Sequence, residues 1–192
     1  MKNNGIDNFT HNEIINYTKA WISDAVIGLN LCPFAKSVYI KNQIEYHISS
    51  ATNQKILLDD LILALHKLNQ TDAEKIDTTL LIHPWVLQDF LDYNDFLDQA
   101  DAALEEAGLA GVLQIASFHP HYQFAGTEAD DVTNCTNRSP FPMLHLLREE
   151  SLDKAIAAMP DAADIFNRNI ETLEELGADG WLQLQTQMKN RI

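Results

Sequence analysis

GVLQIASFHPHYQFAGTEADDVTNCTNRSPFPMLHLLR, residues 111–148, decides how the rest of the chain is read. It opens with an apolar run, Gly111 to Phe118, halted at His119-Pro120. Proline has no N–H for a ladder and pushes the residue before it out of helical geometry, so the run reads as a strand that ends there. Tyr122–Asn137 follows with turn formers and little periodicity. Loops of that length are functional or disordered, and the aromatics and asparagines here favour an ordered one. Ser139-Pro140 then has the pattern of an N-cap and a first helical residue. A helix is therefore expected near 140–149, with His145 and Arg148 three apart on one face.

Working outward, Asp77–His83 (DTTLLIH) is a second aliphatic run, stopped by Pro84. Gln43–Ser49 alternates Ile44, Tyr46 and Ile48 with polar residues, the period of a half-exposed strand. Helical periodicity covers 12–29, 53–68 and 85–107, then short runs near 151–158, 161–176 and 179–189. Thr52 or Asn53 is a candidate cap, and Gly28, Asn30, Gly108, Pro160 and Gly177 are candidate terminators. Strands alternating with helices predict an α/β fold: a small, at least partly parallel sheet flanked by helices, with a helical C-terminal third. A length of 192 residues suits one globular domain over 1–192, with residues 1–9 polar and frayed.

Lys plus Arg number 13 against 28 Asp plus Glu, a formal charge of −15. Such a surface repels phosphate backbones and anionic lipid heads, which argues against nucleic-acid and membrane partners. Asp89, Asp92, Asp95, Asp98 and Asp101 recur at three-residue spacing, which reads as a solvated helix face, since a calcium cradle needs converging loops. Two distant cysteines, Cys32 and Cys135, fit neither a CxxC site nor a disulfide scaffold. No apolar signal core and no run of about 18 apolar residues is visible, so the expected location is cytoplasmic.

The chemistry-bearing residues concentrate around the two His-Pro stops. If the strands are parallel, His83 and His119 both emerge at the carboxyl edge, where open α/β sheets place ligands. Arg138, beside an expected helix start at Ser139, suits a carboxylate or phosphate clamp. Tyr122, Asn137, His145 and Arg148 complete the candidate binding set. Cys32, at the LCPFAKS corner, is a candidate nucleophile if a neighbour lowers its pKa.

AVIGLNLCPFAKSV, DTTLLIHPWVLQDFLDYNDFLD, GVLQIASFHPHYQFAG and TNRSPFPMLHLLRE together resemble the bacterial family designated domain of unknown function 1415. The resemblance spans about 17–181 and implies a single-domain soluble bacterial protein, but names no reaction or cofactor. Its blocks fall on Cys32, His83, His119, Tyr122, Asn137, Arg138, Ser139, His145 and Arg148.

Three functions fit. The preferred one is a small-molecule enzyme acting on an anionic metabolite, with His83 or His119 as general acid/base, Cys32 as an optional nucleophile, and Arg138 and Arg148 as the clamp. The alternatives are a zinc-type site drawn from His83, His119, His121, His145 and Cys32, and a module that binds such a metabolite without turning it over.

Overall fold

The structure is a computed structural model, and it describes residues 9–158 and 164–192. The expected frayed stretch 1–9, all but its last residue, and the helix break at Pro160 lie outside the described residues. Four strands form one sheet in the order β1-β2-β4-β3, with β1 Ile44–Ile48, β2 Thr78–Ile82, β3 Leu113–Phe118 and β4 Met143–Arg148. β1 pairs parallel with β2, whereas β4 runs antiparallel to both β2 and β3. β1, β2 and β3 therefore point the same way, and β4 returns between the last two.

β4 corrects one expectation. MLHLLR is a central strand, and no helix begins at Ser139; the Ser139 hydroxyl instead donates to the Phe141 carbonyl at 2.7 Å. The reason is alternation. Leu144 and Leu146 join the core of one sheet face, while Met143 joins the core of the other. A strand buried on both faces carries an unbroken apolar run, which periodicity alone does not separate from a buried helix.

α3 Gln54–Gln70 and α4 Phe90–Glu106 cover the first face, and their leucines and aromatics fill its core. Asn53 caps α3 through its side chain, and Gly108 ends the α4 turn at φ 69°. The α4 helix starts later than its periodicity indicates, because Trp85–Asp89 is a loop and Asp89 is the N-cap. The five regularly spaced aspartates of this region are all exposed.

The second face is covered by α1 His11–Trp21, its π-helical continuation Ile22–Ile27, and α6 Ile165–Lys189, which breaks at Gly177 (φ 67°). α2 Ala35–Ile40 and α5 Glu149–Ala157 stand at the same side. No described helix is long and apolar enough to cross a membrane.

Candidate functional site

The sequence-predicted residues fall into two groups, separated by the sheet. His83 and His119 do leave co-directional strands at one edge. By strand alternation both rings side with α4, where Tyr93 lies between them at centroid distances of 5.8 and 5.1 Å. Both histidines are fully buried. The Tyr93 hydroxyl donates to the Met143 carbonyl and accepts from the Phe118 N–H, so the same ring also ties β4 to β3.

At His119 both ring nitrogens are engaged. Nδ1 accepts from the His121 N–H at 3.0 Å, which leaves Nε2 as the protonated nitrogen, donating to the Leu87 carbonyl at 3.2 Å. Leu87 sits at φ 57°, an uncommon conformation for a branched residue, and this bond helps hold it. His83 Nδ1 donates to the Val86 carbonyl at 3.1 Å, and its Nε2 is buried without a partner. Burial depresses both imidazoles to about 4, so they are neutral at pH 7.

Arg138 does not present a free clamp. Its guanidinium donates to the Tyr122 carbonyl (3.2 Å) and the Ala129 carbonyl (2.6 Å), and lies 3.9 Å from the Cys135 sulfur. Asn137 donates to the Ser117 carbonyl at 3.1 Å, and the Tyr122 hydroxyl meets Ser117 at 3.3 Å. The long loop is thus ordered by its own side chains, with fully buried Asn134 accepting from the Phe124 N–H and the Thr127 hydroxyl.

Across the sheet lies a cavity of about 610 Å³. Thr78, Leu80, Ala116, Phe118, His145 and Leu147 form its floor, from the outward positions of β2, β3 and β4. Trp21, Ile22 and Val26 wall one side, Cys32, Phe34 and Val38 another, and Leu152 and Ala155 of α5 a third. Ser37, Lys41, Gln43, Glu74, Asp77, Arg148, Ser151 and Lys154 are its remaining polar lining residues. The volume falls in the ~300–1,000 Å³ range of small-molecule sites, and an apolar wall with a few polar groups is their usual composition.

His145 differs from the edge histidines. The Thr78 hydroxyl donates to the Leu146 carbonyl at 2.6 Å, so the 2.6 Å contact between Thr78 Oγ1 and His145 Nε2 has the ring as donor. That fixes the neutral tautomer with a lone pair on Nδ1. Among the described residues Nδ1 has no hydrogen-bond partner, yet it is not a buried orphan, which leaves it open to the cavity. Desolvation holds His145 at about 4, and hence neutral.

Arg148 caps α3: one terminal nitrogen, Nη2, donates to the carbonyls of Leu68 (2.6 Å), Thr71 (2.5 Å) and Ile76 (3.1 Å). No carboxylate lies within 4.0 Å of its guanidinium among the described residues. Nε is buried without a partner, and Nη1 is the accessible nitrogen without a protein acceptor. Burial pushes the Cys32 thiol up, against a smaller opposing pull from the Phe34 and Ala35 amides. Burial also raises Cys135, to about 11. Both are thiols rather than thiolates at neutral pH.

Of the predicted site residues, then, Cys32, His145 and Arg148 share one cavity. His83, His119, Tyr122, Asn137, Arg138 and Ser139 belong to the edge and its loop. The zinc-type set is split in the same way, and among the described residues no three His, Cys, Asp or Glu side chains converge as metal ligands. Sequence reasoning missed Thr78, which accepts from the His145 ring, and the π-helical wall. Gly28 was a signal for that wall: a Cβ there would lie 2.1 Å from the Asp24 carbonyl oxygen. π-helical turns are rare and recur at functional sites.

A family described as protein of unknown function (DUF1415) matches residues 13–183. The comparisons with curated proteins and with solved structures gave no match. The chain belongs to the DUF1415 family, and the match covers every residue of both groups.

Proposed function

We propose that this member of the DUF1415 family is a small-molecule enzyme whose anionic substrate occupies the cavity between β2–β4 and the α1, α2 and α5 walls. The observation that carries this reading is the pairing of a partly open, mainly apolar space with an imidazole lone pair and a guanidinium that has no carboxylate within 4.0 Å among the described residues. At the edge, His119 and Arg138 spend their functional groups on neighbouring residues, and His83 keeps only a buried Nε2.

In this mechanism His145 Nδ1 is the general base. An imidazole held near 4 is a poor base in the empty cavity. An anion brought beside it favours the imidazolium and raises that value, so substrate binding itself moves the base toward working range. Once protonated, a desolvated imidazolium returns its proton readily to a departing group. Arg148 holds the substrate anion, and Cys32 lies in the lining of the same cavity as a nucleophile available to a substrate that reaches both. His83 and His119 hold the loops that frame the edge.

The test is a metabolite screen by thermal shift, followed by turnover assays on the wild type and His145→Gln. The variant should bind, melt within a few degrees of the wild type, and lose about 100-fold or more in kcat. Turnover that survives the substitution contradicts the proposal. Binding with no turnover in either protein leaves a metabolite-binding module.

A further inference from the structure

We infer that the cavity takes an amphiphilic monocarboxylate, with its apolar body against Trp21, Val26 and Phe118 and its carboxylate at Arg148 and Lys41. This rests on the cavity being the functional site, and adds the chemical class of its occupant.

Charge at the lining carries the head-group assignment. In the whole chain acids outnumber Lys and Arg 28 to 13, yet the cavity is lined by Arg148, Lys41 and Lys154 against Glu74 and Asp77. The acids are not placed to neutralise the cations. Asp77 accepts from the Ser151 hydroxyl at 2.6 Å, and Glu74 makes no ion pair within 4.0 Å among the described residues. Lys154 pairs at 2.6 Å with exposed Glu150, whereas Lys41 and Arg148 have no carboxylate within 4.0 Å among the described residues. Arg148 is the strongest of these. Its Nη2 is held by three carbonyls, so the charge is pre-positioned, and Nη1 is left to donate. A fixed guanidinium with a spare donor recognises a carboxylate at little ordering cost.

The body of the cavity sets the tail. Its floor and walls are mainly aliphatic and aromatic, and Ala116 is the smallest side chain on the floor, beside His145 in the β3–β4 register. Its polar groups, among them Thr78 and His145 on the floor and Ser37, Gln43 and Ser151 elsewhere in the lining, are few against that apolar surface. A phosphorylated polar metabolite would leave that surface unpaired, whereas an alkyl or aryl chain buries it.

The experiment is calorimetric titration of the full chain with straight-chain carboxylates of increasing length, each against its primary alcohol. Affinity should rise about fourfold per methylene until the cavity is full, and then level off. Each carboxylate should bind about tenfold or more tighter than its alcohol, as expected for hydrogen bonds to charged groups. Arg148 also caps α3, so its removal confounds folding with binding. Lys41→Met on the exposed rim should weaken the carboxylate several-fold and leave the alcohol unchanged. Ala116→Phe should shorten the length at which affinity levels off. Alcohols that bind as tightly as carboxylates, or a length series with no slope, overturn the inference. So does failure of every carboxylate to bind, while His145-dependent turnover of another anion would leave the enzymatic proposal standing. Carboxylate binding without His145-dependent turnover has the opposite meaning.

Discussion

The two histidine settings differ in what their imidazoles have left to give. At the strand edge, His119 has committed both ring nitrogens, to Leu87 and His121, and His83 has one committed nitrogen and one sealed from water. On the opposite face His145 has one nitrogen fixed by Thr78 and the other open to a cavity. All three are held near 4 by burial, so depressed pKa does not separate them. Hydrogen-bond accounting does. A residue can be buried, titratable and placed at a strand end, and still serve mainly to hold a loop.

The largest effect that would sharpen the comparison is the pH dependence of stability. A histidine whose pKa falls from 6.5 to about 4 on folding is neutral in the fold and charged when unfolded between those values. Its contribution is fully present above about 6.5 and is lost as pH falls toward 4. Unfolding should take up as many as three protons in that window, for a total loss on the order of several kcal/mol. Urea midpoints measured from pH 7 to 4.5 give the slope. His83→Phe and His119→Phe should each remove about one proton, and a flat profile would remove the buried-neutral account of both regions.

Next in size is His119→Phe at pH 7, which orphans the Leu87 carbonyl and the His121 amide. It should cost about 2–4 kcal/mol and leave carboxylate affinity unchanged. An unchanged urea midpoint, or a lost ligand, would break the division of roles. Gly28→Ala sets a methyl against the Asp24 carbonyl and should cost about 1–3 kcal/mol. Because Ile22 and Val26 belong to the cavity wall, this variant should also weaken ligand binding, as titration would show. The smallest effect is on thiol labelling. Half-buried Cys32 should react with iodoacetamide before buried Cys135, and more slowly with ligand present. Mass mapping of the adducts reads both.

Much of the scaffold is legible in the residues. Pro84 and Pro120 mark where β2 and β3 stop, Asn53 caps α3, and Gly177 breaks α6 near its predicted position. β4 was not legible as a strand, because Leu144, Leu146 and Leu147 read equally well as a helix stripe until β2 and β3 flank them on both sides. That error moved His145 and Arg148 onto a helix beside Ser139, and so gave Arg138 an anion to hold. The cavity was hidden for a different reason. Cys32 and His145 meet its lining from sites 113 residues apart, and Trp21, Val26 and Phe118 look like ordinary core residues until a space is left between them. Nor does sequence show that Arg138 and His119 will spend their donors on backbone carbonyls.

The most direct test is amide chemical-shift mapping of isotope-labelled protein titrated with a medium-chain carboxylate. Shifts concentrated at Thr78, Ala116, His145 and Cys32, with His83, His119 and Tyr122 unmoved, are the predicted result. Shifts concentrated at His83, His119 and the 122–137 loop would place the ligand at the strand edge and contradict the account.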